Sequence, residues 1–125
     1  MRDHRQLEAF VKVRQLVLDV YRATSQFPRE ELFGLTSQIR RSAVSVPSNL
    51  VEGCARKGER DFLRFVDMAP GSARELEFQL ELAQDLGFLG ENGSLIGLSQ
   101  EVARLVAGLA NAFNKPAGSI NKPER

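Results

Sequence analysis

In the segment SVPSNLVEGCARKGERDFLR, residues 45–64, Ser45, Asn49 and Glu52 recur at spacings of four and three beside a proline. Four basic residues follow them. A carboxylate held by two hydrogen-bonding side chains can serve as a general base when burial raises its pKa, so Glu52 is the natural catalytic candidate. It has little to work with. His4 is the only histidine and lies near a terminus expected to fray. Cys54 is the only cysteine, which excludes an intrachain disulfide and a cysteine cluster for zinc. Metal sites built on His/Cys and nucleophile–histidine pairs therefore lack their parts, and no phosphate-cradling glycine loop is present. Ser45, Asn49 and Glu52 read better as one polar face of a helix, hydrogen-bonding across a helix interface, with Glu52 paired to Arg56 one turn on. Gln38 and Arg41 extend the same network. No enzymatic activity, cofactor, metal or small-molecule substrate is expected.

The basic residues Arg56, Lys57, Arg60 and Arg64 could contact phosphates. On a single copy they read as a solvated helix end, with Glu59 and Asp61 cancelling part of the charge. Repeated on one rim of an oligomer, the same weak patch would gain from multivalency. The net charge of +1 carries no nucleic-acid signature. Its distribution is uneven: residues 1–74 hold 13 Lys/Arg against 9 Asp/Glu (+4), and residues 75–125 hold 4 against 7 (−3). Cys54 falls on an apolar stripe and is expected to be buried and inert. Phe62 and Phe65 are assigned to packing rather than to base stacking.

These residues need helices to position them. Hydrophobic content of 42% with 26% charged residues is globular, and no strand-like alternation occurs. A first helix is expected over about 5–25, where Leu7, Val11, Val17, Leu18 and Tyr21 recur beside Phe10, Val13 and Val20. A second spans about 29–56. At about 100° per residue, Ile39, Ala43, Val46, Leu50 and Cys54 make one stripe, which Val44, Pro47, Val51 and Ala55 widen. Ser42, Ser45, Asn49, Glu52 and Arg56 line the other side. Both stripes stay in phase across Pro47, so a helix kinked there is expected rather than a loop.

A third helix, about 59–87, carries Phe62, Phe65, Val66, Ala69, Ala73, Leu76, Leu80 and Ala83, with Gly87 as its C-cap. Pro70-Gly71 either kinks or breaks it. The in-phase apolar face favours a kink, and Ser72 with Glu75 could form a capping box that restarts the helix. A fourth helix, about 94–114, shows a heptad-like seam of Leu95, Leu98, Val102, Leu105, Leu109 and Ala112. Pro116, Gly118 and Pro123 mark 115–125 as a disordered tail. The whole is expected to be one all-α domain, an antiparallel up-down-up-down four-helix bundle. Helix 2 has more apolar arc than one bundle needs, which leaves Val44, Val51 and Ala55 for a subunit interface. The chain lacks an apolar span long enough for a bilayer and an apolar leader, so a cytoplasmic protein without membrane contact is the expectation.

The stretch FGLTSQIRRSAVSVPSNLVEGCAR, with FLRFVDMAPGSARELEFQLELAQDLGFL after it, resembles the four-helix-bundle family of proteins encoded in intervening sequences of bacterial 23S ribosomal RNA. It is also similar to the accessory variability determinant of diversity-generating retroelements. Gln38, Arg41, Ser45, Pro47, Asn49, Glu52 and Gly53, then Gly71, Ser72, Glu75 and Leu76, carry the resemblance, over roughly residues 5–113. It implies an up-down bundle assembling as a ring-shaped homopentamer, without catalysis and with a link to RNA or DNA. Two features depart from the pattern: Pro70 precedes Gly71-Ser72, and the charge is near neutral. The competing expectation is a protein–protein interaction module that binds no nucleic acid.

Overall fold

The computed structural model describes residues 2–91 and 93–114, and all regular structure among them is helical. After a 3-10 turn at His4–Gln6, helix α1 covers Glu8–Thr24 and a second 3-10 turn Arg29–Glu31. Helix α2 covers Leu35–Ala55, α3 Glu59–Val66, α4 Ala69–Asp85 and α5 Gly93–Asn114. The second helix thus begins six residues later than the pattern suggested, because residues 29–31 form the separate turn and Gly34 enters α2 with φ −113° and ψ −113°. Its first turn borrows a partner from that 3-10 turn: Glu31 Oε1 accepts from the Leu35 amide at 3.1 Å. The disordered tail expected at 115–125 lies outside the described residues.

Pro47 sits inside α2. Asn49 donates through Nδ2 to the Ser45 carbonyl at 2.9 Å, one turn before it. At the second proline the long helix is interrupted. Residues 67 and 68 form a turn between α3 and α4, with Met68 donating to the Phe65 carbonyl at 3.1 Å. Pro70 then occupies the first turn of α4, where its missing N–H is an orphan anyway. The capping-box expectation fails: α4 starts at Ala69 and Ser72 is already inside it. Gly87 ends α4 as expected, with φ +83° and the Phe88 amide reaching back to the Ala83 carbonyl at 2.9 Å.

Four long helices surround the main core. Helix α1 touches α2 and α5, and α4 touches α2 and α5, while α1 and α4 do not meet among the described residues. Val13, Leu16, Val20, Ile39, Val46, Leu50, Leu76, Leu80, Val102 and Val106 fill the centre. A smaller cluster of Cys54, Phe62, Val66 and Ala110 lies where α3 covers the ends of α2 and α5.

Two apolar stripes are in a different phase from the expected one. On α1 the buried set is Ala9, Val13, Leu16, Val20 and Thr24, whereas Val11 is 69% exposed and Leu18 and Tyr21 also face outward. On α5 it is Leu95, Ser99, Val102, Ala103, Val106 and Ala110, leaving Leu105 exposed and Leu98 and Leu109 half-buried. Both helices carry a second apolar row beside the one the core uses. Ser42, placed on the polar side of α2, is buried as well.

Candidate functional site

The expected polar network is narrower than the sequence suggested. Ser45 Oγ lies 2.8 Å from Ser72 Oγ and so joins α2 to α4. Asn49 Nδ2 reaches Ser45 Oγ at 3.3 Å as well as its carbonyl. Glu52 faces the other way, exposed and paired with Arg56. Gln38 and Arg41 are exposed and take no part. Glu52 therefore sits on the surface beside a guanidinium. Ser45, Asn49 and Ser72 form a small interhelical clasp, and their half-buried hydroxyl and amide groups satisfy one another. Among the described residues, no group of three or more His, Cys, Asp or Glu stands close enough to hold a metal ion.

The end of the fold formed by α2 and α3 holds the basic residues. Its foundation is Gly53. A Cβ there would stand 3.1 Å from Phe65 Cβ and 3.2 Å from the Phe62 carbonyl oxygen, so only glycine lets α3 lie this close. Phe62 is fully buried by that approach, but Phe65 is not a core residue. The Arg56 and Arg64 guanidiniums lie over its ring, at 4.8 and 4.9 Å from the centroid. Each is also held by a carboxylate, Arg56 by Glu52 and Arg64 by Asp61 at 3.6 Å. Two of the four basic residues are thus already engaged. Lys57 and Arg60 remain exposed, with no carboxylate partner among the described residues.

The N-terminal segment closes this end, and sequence reasoning missed it by expecting fraying there. The Arg2 amide donates to the Cys54 carbonyl at 2.8 Å. Its guanidinium lies 3.6 Å above the Phe62 ring and pairs with Glu59 at 2.9 Å. His4 meets Phe10 edge-on at 4.8 Å. No local sequence signal marks Arg2, because its partners are more than 50 residues away. Beneath this strap Cys54 is buried, and desolvation pushes its thiol pKa up. Cys54 should therefore react with a thiol reagent only after unfolding in denaturant. Rapid labelling of the native protein at neutral pH would show instead that the strap opens.

The interface candidates Val44, Val51 and Ala55 all lie on the outer surface of α2. Between Val44, Pro47 and the outward row of α1 runs an open groove of about 760 Å³, lined by Phe10, Val11, Arg14 and Leu18 among others. A second depression shares Val44 and continues past Tyr21, Arg40 and Arg41 to Leu32 and Phe33. Among the described residues, no helix is long and apolar enough to cross a membrane.

The fold is similar to that of a protein of unknown function from the S23 ribosomal protein family of Bacteroides thetaiotaomicron VPI-5482, solved by crystallography. The two share 21% sequence identity with a TM-score of 0.72, over 82% of this chain and 95% of that one. No curated protein matches the chain. The model of the 23S rRNA-intervening sequence protein family matches residues 5–108. Those residues include the Ser45–Asn49–Ser72 clasp, Gly53 and the basic end, and the chain belongs to the 23S rRNA-intervening sequence protein family.

Proposed function

We propose that the protein is a non-enzymatic scaffold: an antiparallel up-down-up-down four-helix bundle, bent at Pro47 and with its third helix broken before Pro70, that assembles with copies of itself. The observation that carries this reading is the second apolar row. Val11, Leu18, Tyr21, Leu32, Phe33 and Val44 are large and exposed around the groove and the depression that adjoins it at Val44, and exposed apolar surface of that kind marks an interaction surface. The groove and the adjoining depression fall within the size range of ligand clefts, but of their lining residues only Thr36, in the depression, is a buried polar side chain. A partner surface suits them better than a small molecule. The pentamer implied by the family resemblance is the assembly we expect.

Nucleic acid is the proposed partner of the basic end. With Arg56 and Arg64 folded over Phe65, each copy offers mainly Lys57 and Arg60 to phosphates, and Phe65 is covered against base stacking. Such contacts are weak singly and gain strength only through repetition around an assembly. Two measurements test the reading. Native mass at micromolar concentration should exceed that of one chain. Retention of structured RNA or duplex DNA should fall steeply with salt, and Lys57→Glu with Arg60→Glu should weaken it on all sequences alike. An assembled protein that retains neither nucleic acid even at low salt would make the module a binder of proteins.

A further inference from the structure

We infer that α4 of one copy docks in the α1/α2 groove of the next, so that each copy uses two different faces. This rests on the self-association proposed above and says which surfaces meet. The groove and the depression that adjoins it at Val44 supply one half: Leu18, Tyr21 and Val44 are exposed apolar walls, and Phe33, 92% exposed, stands at the end of the depression. The other half is on α4. Phe78 is 63% exposed, and Leu82 and Leu86 follow it at one-turn intervals on the side turned away from Leu76, Leu80 and Ala83. Because α1 and α4 do not touch, the two apolar faces lie on separate helices across the fold.

Charge decides how they pair. Arg14 lines the groove and Arg40 and Arg41 the adjoining depression, and the three form no ion pair within the chain among the described residues. Arg40 instead donates to Thr24 Oγ1 at 2.8 Å and stacks on Tyr21. Beside Phe78 and Leu82, α4 presents Glu75, Glu81 and Asp85, all exposed and likewise without an ion-pair partner among the described residues, and these three carboxylates outnumber the one cation of that face, Arg74. Two grooves brought face to face would oppose arginines, and two α4 faces would oppose carboxylates. Groove against α4 satisfies both sets, and like-charge juxtaposition disfavours the symmetric alternatives. A contact between unlike faces is heterologous, and it propagates until a ring closes.

The test uses two full-length variants at exposed positions, Leu18→Glu in the groove and Phe78→Glu on α4, with helix content checked by circular dichroism. Native mass spectrometry of each alone at micromolar concentration should give a single chain. Mixed in equal amounts they should give a species of two chains, because the intact α4 of one meets the intact groove of the other. Should either variant lose helix content, Arg14→Glu and Glu81→Arg are read in its place. Each should weaken association about tenfold, and both changes in one chain should restore it. An assembled wild type with variant masses unchanged would overturn this pairing while leaving self-association standing. Variants that remain single chains when mixed would also overturn it. A wild type that is itself a single chain would remove the pairing and the assembly together.

Discussion

Replacing Phe62 with alanine is expected to destabilise the fold by about 4 kcal/mol, the largest loss from any single side chain. Phe62 is fully buried in the small cluster with Cys54, Val66 and Ala110, and Phe113 meets it edge-on at 4.9 Å. Above it lies the Arg2 guanidinium. Removing the ring forfeits its transfer free energy, the edge-on pair and the cation contact, and it leaves a cavity that few neighbours can fill. Helix α3 is only eight residues long and is fixed at both ends, by Gly53 beneath it and by the turn at residues 67 and 68 after it. It cannot easily sink into the void. Chemical denaturation should show a lower midpoint, and Phe62→Leu should recover most of the loss because it keeps the volume near the helix. A change below about 1 kcal/mol for Phe62→Ala would mean that α3 is peripheral to cooperative unfolding.

The helices are legible in the sequence because their apolar periodicity is strong, and the clean polar face of α2 gives its phase correctly across Pro47. Ile39, Ala43, Val46, Leu50 and Cys54 are all buried. On α1 and α5 the pattern is ambiguous for a physical reason. Each helix has two adjacent apolar rows, and a wheel cannot say which one the core takes. On α1 the larger side chains Val11, Leu18 and Tyr21 make the more conspicuous row, yet Ala9, Val13, Leu16 and Val20 pack inside. The excess is itself informative. An apolar row that the chain does not bury is one it can offer elsewhere, and the groove beside Val44 is built from such a row.

The basic end is legible in composition but not in chemistry. Four cations within nine residues suggest an open patch, whereas Arg56 and Arg64 are turned onto Phe65 and matched by Glu52 and Asp61. Each pairing is local, at three or four residues' spacing on a helix, and so can be anticipated from the sequence. The Arg2 strap cannot, since its partners Cys54, Glu59 and Phe62 become neighbours only when α2 and α3 fold together.

Gly53→Val should be the second most damaging change, at about 3 kcal/mol, and it tests whether helix approach is what this glycine provides. In an exposed helix interior, glycine to alanine gains about 1 kcal/mol from propensity alone. Gly71, in the first turn of α4 with nothing beyond its own helix and chain neighbours within 4 Å of where an added Cβ would stand, should gain part of that and serves as the control. At Gly53 the atoms in the way are Phe65 Cβ at 3.1 Å and the Phe62 carbonyl oxygen at 3.2 Å. Neither is the end of a flexible side chain, so the backbone of α3 itself must retreat. That retreat would loosen Phe62 and Val66 in the cluster they fill with Cys54. Gly53→Ala should therefore lose about 1 kcal/mol despite its better helix propensity, and valine should lose more by adding γ-methyl groups to the same space. Thermal unfolding of the three variants reads the order directly: Gly71→Ala above wild type, Gly53→Ala below it and Gly53→Val lowest. If Gly53→Ala instead matched the gain of Gly71→Ala, α3 would have room to move, and close approach would not explain the glycine at the end of α2.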